Sequence, residues 1–233
     1  MRHSAGARWM ILAGALAVGC WAGCRNGSTP EGPLPSGASG EAQAVPGEAE
    51  GSDVDTTPAE EPPPPRTIPE VHLLDADRET CLVGVDDPMP EAELVDLDGE
   101  KQALGELRGE KLTVVLFWTS GDSEFSAMRA QALLEDLQKD VHEPYAEKGV
   151  GVVAVNEGDT AESVKKLVEE AAAAFPSLLD ADGALFAKVA KEKLPRPYLL
   201  DAEGKILWFD LEYSPTTRDN LMQAIRVALG ELQ

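Results

Sequence analysis

Apolar and polar positions along the C-terminal two-thirds of the chain separate into short runs and spaced stripes. Leu112-Thr113-Val114-Val115-Leu116-Phe117-Trp118 is nearly continuous in apolar character. Such a run needs cover on both faces, which marks a central parallel strand. Val150–Val155 reads the same way. Glu91–Leu97 alternates only in part and predicts a shorter strand, closed by the turn dipeptide Asp98-Gly99. Tyr198-Leu199-Leu200 and Ile206-Leu207-Trp208-Phe209 flank Asp201-Ala202-Glu203-Gly204, a hairpin with a glycine in its loop.

Helical spacing appears between these runs. Phe125, Met128, Leu134, Leu137, Val141 and Tyr145 predict a helix that opens at Ser120-Gly121-Asp122-Ser123 and is kinked or ended by Pro144. Ala161–Phe175 predicts a second helix, with Val164, Leu167, Val168, Ala171 and Phe175 on one side. Leu178-Leu179 and the turn Asp180-Ala181-Asp182-Gly183 lead to a short helix over Ala184–Lys193. Asp219–Leu232 closes the chain as a helix. The order is β, β-α-β-α, then β-β-α. Strand–helix–strand units give parallel core strands, and the late hairpin adds antiparallel ones. The fold class is α/β, with a central mixed sheet flanked by helices.

Composition changes sharply upstream. Residues 25–70 hold ten of the 17 prolines and nine acidic residues against Arg25 and Arg66. A stretch so poor in large apolar groups does not offset the entropy of ordering, so 20–71 is expected to be a disordered Pro/Gly/Glu-rich tether. Pro62–Pro65 favours extended polyproline II within it. The folded domain is expected over 72–233. The net charge of −22 excludes nucleic acid as a partner, because a polyanion is repelled by such a surface.

The first residues follow the grammar of export. Arg2 and Arg8 form a basic segment, and Trp9–Gly19 is apolar but too short for a stable membrane span. Leu16-Ala17-Val18-Gly19 before Cys20 resembles a bacterial lipobox. That resemblance implies a signal peptide over 1–19, lipidation of Cys20 and a membrane anchor facing the periplasm or cell exterior. Two or three acyl chains hold a protein on a bilayer where one does not. A plain cleaved signal or an uncleaved anchor is the alternative. Cys24 fits less well, since Trp21 would then stand three residues before the acceptor.

Within 84–232 several segments, in order, resemble the thioredoxin-like superfamily. The likeness is in particular to membrane-tethered thiol–disulfide oxidoreductases and redoxin/peroxiredoxin-type (AhpC/TSA-like) domains. Asp87-Pro88-Met89-Pro90-Glu91-Ala92-Glu93-Leu94 looks like the family's first strand. Val114–Ser120 looks like the strand that delivers the active site. Leu194-Pro195-Arg196-Pro197-Tyr198 resembles the segment with the family's cis-proline. The resemblance implies a three-layer thioredoxin-like sandwich, with Pro195 as the cis-proline. That loop either shapes a shallow groove beside Asp122 and Phe125 or is retained for folding.

The family places Trp-Cys-x-x-Cys where the first helix begins. Matched residue by residue, Gly121 stands for the Trp, Asp122 for the first Cys and Phe125 for the second. Peroxiredoxin-type domains place a nucleophilic Cys three residues after a Thr, and here Thr119 is followed at that distance by Asp122 again. Disulfide transfer requires a thiolate, which a carboxylate does not replace. Asp122 is expected instead to be an ionised N-cap worth about 1 kcal/mol. A catalytic base there is disfavoured, since a helix N-terminus stabilises the charged carboxylate. His72 and His142 offer no partner.

The expectation for function is therefore an envelope lipoprotein whose thioredoxin-like head is a non-catalytic binding or structural module, partnered by the membrane and by envelope proteins. The alternative is a thiol–disulfide oxidoreductase or peroxiredoxin-type antioxidant enzyme using Cys81 or partner thiols. With Cys20 acylated, Cys24 and Cys81 are the thiols left for a disulfide or redox role, and an exported setting favours oxidation. An intrachain bridge, an intermolecular bridge and a free thiol are all open. Asp180-x-Asp182-Gly183 suggests the opening of a calcium loop, but Ala184, Phe186 and Lys191 hold its later positions, so a turn is expected. No metal and no cofactor are expected.

Overall fold

The computed structural model describes residues 66–232. The signal segment 1–19, Cys20, Cys24 and the tether up to residue 65 lie outside them. Seven strands form the framework of the described residues: β1 (Glu93–Asp96), β2 (Lys101–Ala103), β3 (Leu112–Trp118), β4 (Val150–Glu157), β5 (Ser177–Asp180), β6 (Arg196–Asp201) and β7 (Ile206–Phe209). Six α segments accompany them: α1 (Asp75–Arg78), α2 (Glu124–Leu137), α3 (Glu143–Tyr145), α4 (Ala161–Glu170), α5 (Phe186–Val189) and α6 (Pro215–Ala228).

The strands make one sheet in the order β2-β1-β5-β4-β3-β6-β7. β3, β4 and β5 run parallel, in a register from Leu112 opposite Val150 to Trp118 opposite Asn156. β6 lies antiparallel to β3, and β7 antiparallel to β6. Every residue of β3 is buried. Alternation splits them between two cores, as the pleat requires. Leu112, Val114, Leu116 and Trp118 pack against α2, α4 and α6 through Leu134, Leu137, Val164, Leu221 and Ile225. Val115 and Phe117 face the other layer, with Tyr198, Leu200, Leu185, Phe186, Val189 and Met89. Each fully buried leucine of this kind stabilises the fold by about 1.5–3 kcal/mol.

Several boundaries differ from the sequence reading, each for a local reason. The helix expected over Ala161–Phe175 stops at Glu170, because the chain reverses through Ala172 in the left-handed region (φ 51°). That reversal lets Phe175 fold back into the core. The first helix does pass Pro144, through a π turn over Gln138–His142. Pro144 has no N–H to donate to the preceding turn, and a widened turn accommodates the missing bond. The last helix starts at Pro215 rather than Asp219. Ser214 caps it by accepting from Thr217 N–H at 3.2 Å, and Pro215 suits the first helical position.

Upstream of residue 72, Thr67 C=O accepts from Gln223 Nε2 at 2.8 Å, and Ile68 and Val71 pack on the core. The Asp180 turn is a capping device. Its carboxylate accepts from Leu185 N–H (3.1 Å) and Phe186 N–H (2.7 Å), and it is buried.

Candidate functional site

The parallel strands β3 and β4 end side by side, and one carboxylate ties their following loops together. Asp159 accepts from Ser120 N–H at 2.6 Å, Ser120 Oγ at 2.8 Å, Thr119 Oγ1 at 3.3 Å and Asn156 Nδ2 at 2.7 Å. Four donors on one partly buried carboxylate fix the segment that leads into α2, since hydrogen bonds to a charged acceptor are the stronger kind. The sequence reading missed Asp159. Its only signal was a polar cluster after a strand, Asn156-Glu157-Gly158-Asp159-Thr160, which is common in loops.

α2 then begins one residue later than the sequence suggests. Ser123, in extended conformation, is the N-cap, and its Oγ accepts from Ser126 N–H at 3.1 Å. The expectation that Asp122 caps the helix is therefore wrong. Asp122 lies outside the helix, exposed, and the serine oxygen has taken the place next to the free N–H groups. Gly121 adopts φ +66°, and a Cβ there would come within 2.8 Å of Ser126 Cβ. Glycine suits this turn as no bulky residue could without moving the helix start. Phe125 sits in the first turn with 70% of its surface exposed, and Met128 is exposed to 64%. The Arg129 guanidinium carbon stands 6.0 Å from the Phe125 ring centre.

The Leu194–Pro195 peptide is cis and leads into β6. Pro195 borders a cleft of about 360 Å³ with Trp118, Phe125, Leu133, Asp136 and Tyr213. Trp118 is 1% exposed, and its Nε1–H has no acceptor among the described residues. Burial lifts the Asp136 carboxyl above the ordinary carboxylate range, opposed by Arg218 at 2.8 Å and reinforced by Asp140. Burial likewise raises the Tyr213 hydroxyl, with the Asp136 charge adding to it. The cleft thus offers aromatic and aliphatic walls, a buried N–H and a carboxylate, but no thiol among the described residues.

Cys81 lies elsewhere. It pairs as an isolated bridge with Ala190, and it lines a second cleft with Val71, Val83, Leu207 and Phe209. The two clefts share no lining residue. Arg196, directly after Pro195, is fully buried and donates to Cys81 Sγ at 3.4 Å. The sequence reading passed over Arg196, since an arginine inside an apolar strand carries no signal of its own. His72 is exposed beside Glu70, and His142 packs on Phe175; neither lines the first cleft. The structure therefore brings Asp122, Phe125 and Pro195 to one end of the sheet, while Cys81 and the histidines do not line the first cleft.

A sheet with three parallel core strands, a helix springing from the end of β3 and a cis-proline before β6 define a thioredoxin-like domain. The Redoxin family profile matches residues 84–225, and the chain belongs to that family. Among curated relatives, the thiol-disulfide oxidoreductase ResA of Bacillus anthracis is 26% identical over 136 residues, covering 57% of this chain and 71% of the relative. ResA of Geobacillus thermodenitrificans is 28% identical over 128 residues, covering 55% and 70%. The same fold occurs in a putative protein disulfide isomerase from Bacteroides thetaiotaomicron (TM-score 0.57, 21% identity, 65% of this chain and 93% of that one). It recurs in a putative thiol:disulfide interchange protein DsbE from Chlorobium tepidum (TM-score 0.53, 24% identity, 64% and 99%).

Proposed function

We propose that this domain is a redox-silent member of its family, a binding module held at the cell envelope by a lipid on Cys20. One observation carries the reading: the start of α2, where the family resemblance places the reactive thiols, presents Asp122 and Phe125. A carboxylate has no sulfur to exchange, and the phenyl ring of Phe125 has no chemistry of this kind at all.

What remains is a recognition surface. Phe125 and Met128 are large apolar side chains left in solvent beside a cleft with aromatic walls, an arrangement suited to docking an apolar side chain from a partner. The reading assigns that partner to the envelope proteins within reach of the tether. Reduced, full-length protein mixed with insulin and dithiothreitol tests the silence: reduction of the insulin disulfides at the rate of dithiothreitol alone supports it. Acceleration by catalytic amounts of the protein contradicts it.

A further inference from the structure

The first cleft follows α2 for much of its length. Phe125 and Asp136 both line it, and they stand about 16 Å apart along the helix at 1.5 Å per residue. Its two ends differ in chemistry. Phe125 is an exposed ring at one of them, whereas Asp136 brings a carboxylate to the other, where its charge is felt by the Tyr213 ring hydroxyl in the same wall.

That carboxylate is short of a cation. Arg218 serves two acids and favours the other one: Asp140 Oδ2 accepts from its Nε at 3.1 Å and from its Nη2, while Asp136 Oδ2 meets Nη1 alone, at 2.8 Å. Asp136 Oδ1 takes no hydrogen bond from any described residue, and the side chain is 30% exposed. Lys139, the other cation acting on Asp136, is paired with Glu135 at 3.3 Å. Three carboxylates, Asp136, Asp140 and Glu135, thus share two cations, which leaves one negative charge in excess at this end of the cleft. Arg129 also lines the cleft, but it stands over the Phe125 ring, about 10 Å from Asp136 along the helix.

We propose, resting on the docking role of this cleft, that the partner inserts a lysine side chain whose ammonium pairs with Asp136 Oδ1. The aliphatic stem of a lysine lies well along apolar walls such as Leu133, and the ammonium gains further from the face of Tyr213. A compact ammonium suits a carboxylate with one oxygen free. A guanidinium is matched to both oxygens, and Arg218 already holds one of them. The net charge of −22 favours a basic partner at longer range as well. The apolar side chain docked beside Phe125 and the lysine at Asp136 would then come from one partner segment lying along α2.

The test uses full-length protein in detergent and alanine-based hexapeptides carrying one leucine and one lysine, two, three or four positions apart. Each is paired with a twin that has norleucine in place of lysine, and binding is read by fluorescence anisotropy. The tightest lysine peptide is expected to bind about tenfold better than its twin, the worth of one hydrogen bond to a charged group. Asp136→Asn removes that preference. Arg129→Gln takes a like charge from the same wall and raises affinity for the lysine peptide about twofold. Arg129 is exposed, so its variant carries the test even where the Asp136 variant does not fold. Equal binding of the twins overturns the lysine assignment and leaves the docking role standing, whereas no binding by any peptide removes both. A preference that survives Asp136→Asn, or an affinity that fails to rise in Arg129→Gln, also overturns the assignment.

Discussion

Ser123 Oγ accepts from the N–H of Ser126, so the cap of α2 falls one residue beyond Asp122. Ser123→Ala is expected to lower stability by about 1 kcal/mol, whereas Asp122→Ala changes it by less than about 0.5 kcal/mol. Denaturant midpoints of the two variants check the assignment. Equal losses, or a larger loss for Asp122→Ala, would return the cap to Asp122.

Asp159 gathers four donors, three from the loop after β3 and one from Asn156 in β4. Asp159→Ala leaves the Ser120 N–H and the buried Asn156 amide short of an acceptor. The expected cost is about 1–3 kcal/mol, since each orphaned buried donor carries its own desolvation penalty. Amide exchange at Ser120 should also quicken relative to Val114 in the same variant. Unchanged exchange would mean that another contact holds the loop.

Asp96 provides a pH test. Its carboxylate accepts from Glu100 N–H, Gln102 Nε2 and Asp98 N–H, and these bonds hold its pKa below the ordinary value of 3.8, the Glu100 bond most of all. A folded pKa below the unfolded one means stability present above about 3.8 and lost as pH falls through the depressed folded value. The denaturation midpoint of Asp96→Ala should therefore lie below that of the wild type at about pH 6. The gap should close on acidification past 3.8. A gap that widens in acid contradicts the assignment.

Cys20 lies outside the described residues, and its lipidation rests on the lipobox resemblance. Cys20→Ser is expected to move the protein from the membrane fraction to the soluble one, while Cys24→Ser leaves it in place. Unchanged fractionation of Cys20→Ser discards the lipid anchor.

The framework was legible because its signals are physical and local. The near-continuous apolar run of β3 demanded two covered faces, and the structure covers both, with α2 on one side and α5 on the other. What escaped notice depends on tertiary placement. Ser123 and Asp122 are equally good capping residue types, so sequence alone does not choose between them. The start of α6 needs Ser214 and Pro215 together, a polar cap followed by a residue with no N–H, and neither carries the apolar spacing that marks a helix. Asp159 and Arg196 draw their roles from partners 39 and 115 residues away, respectively, which no local pattern encodes.

Function at the end of the sheet turns on the sulfur missing from the start of α2, and restoring it is the most direct test. The double variant Asp122→Cys/Phe125→Cys should catalyse insulin disulfide reduction in dithiothreitol, while the wild-type chain stays at the uncatalysed rate. Catalysis by the wild type at a rate matching the double variant, or none by either, would contradict the account.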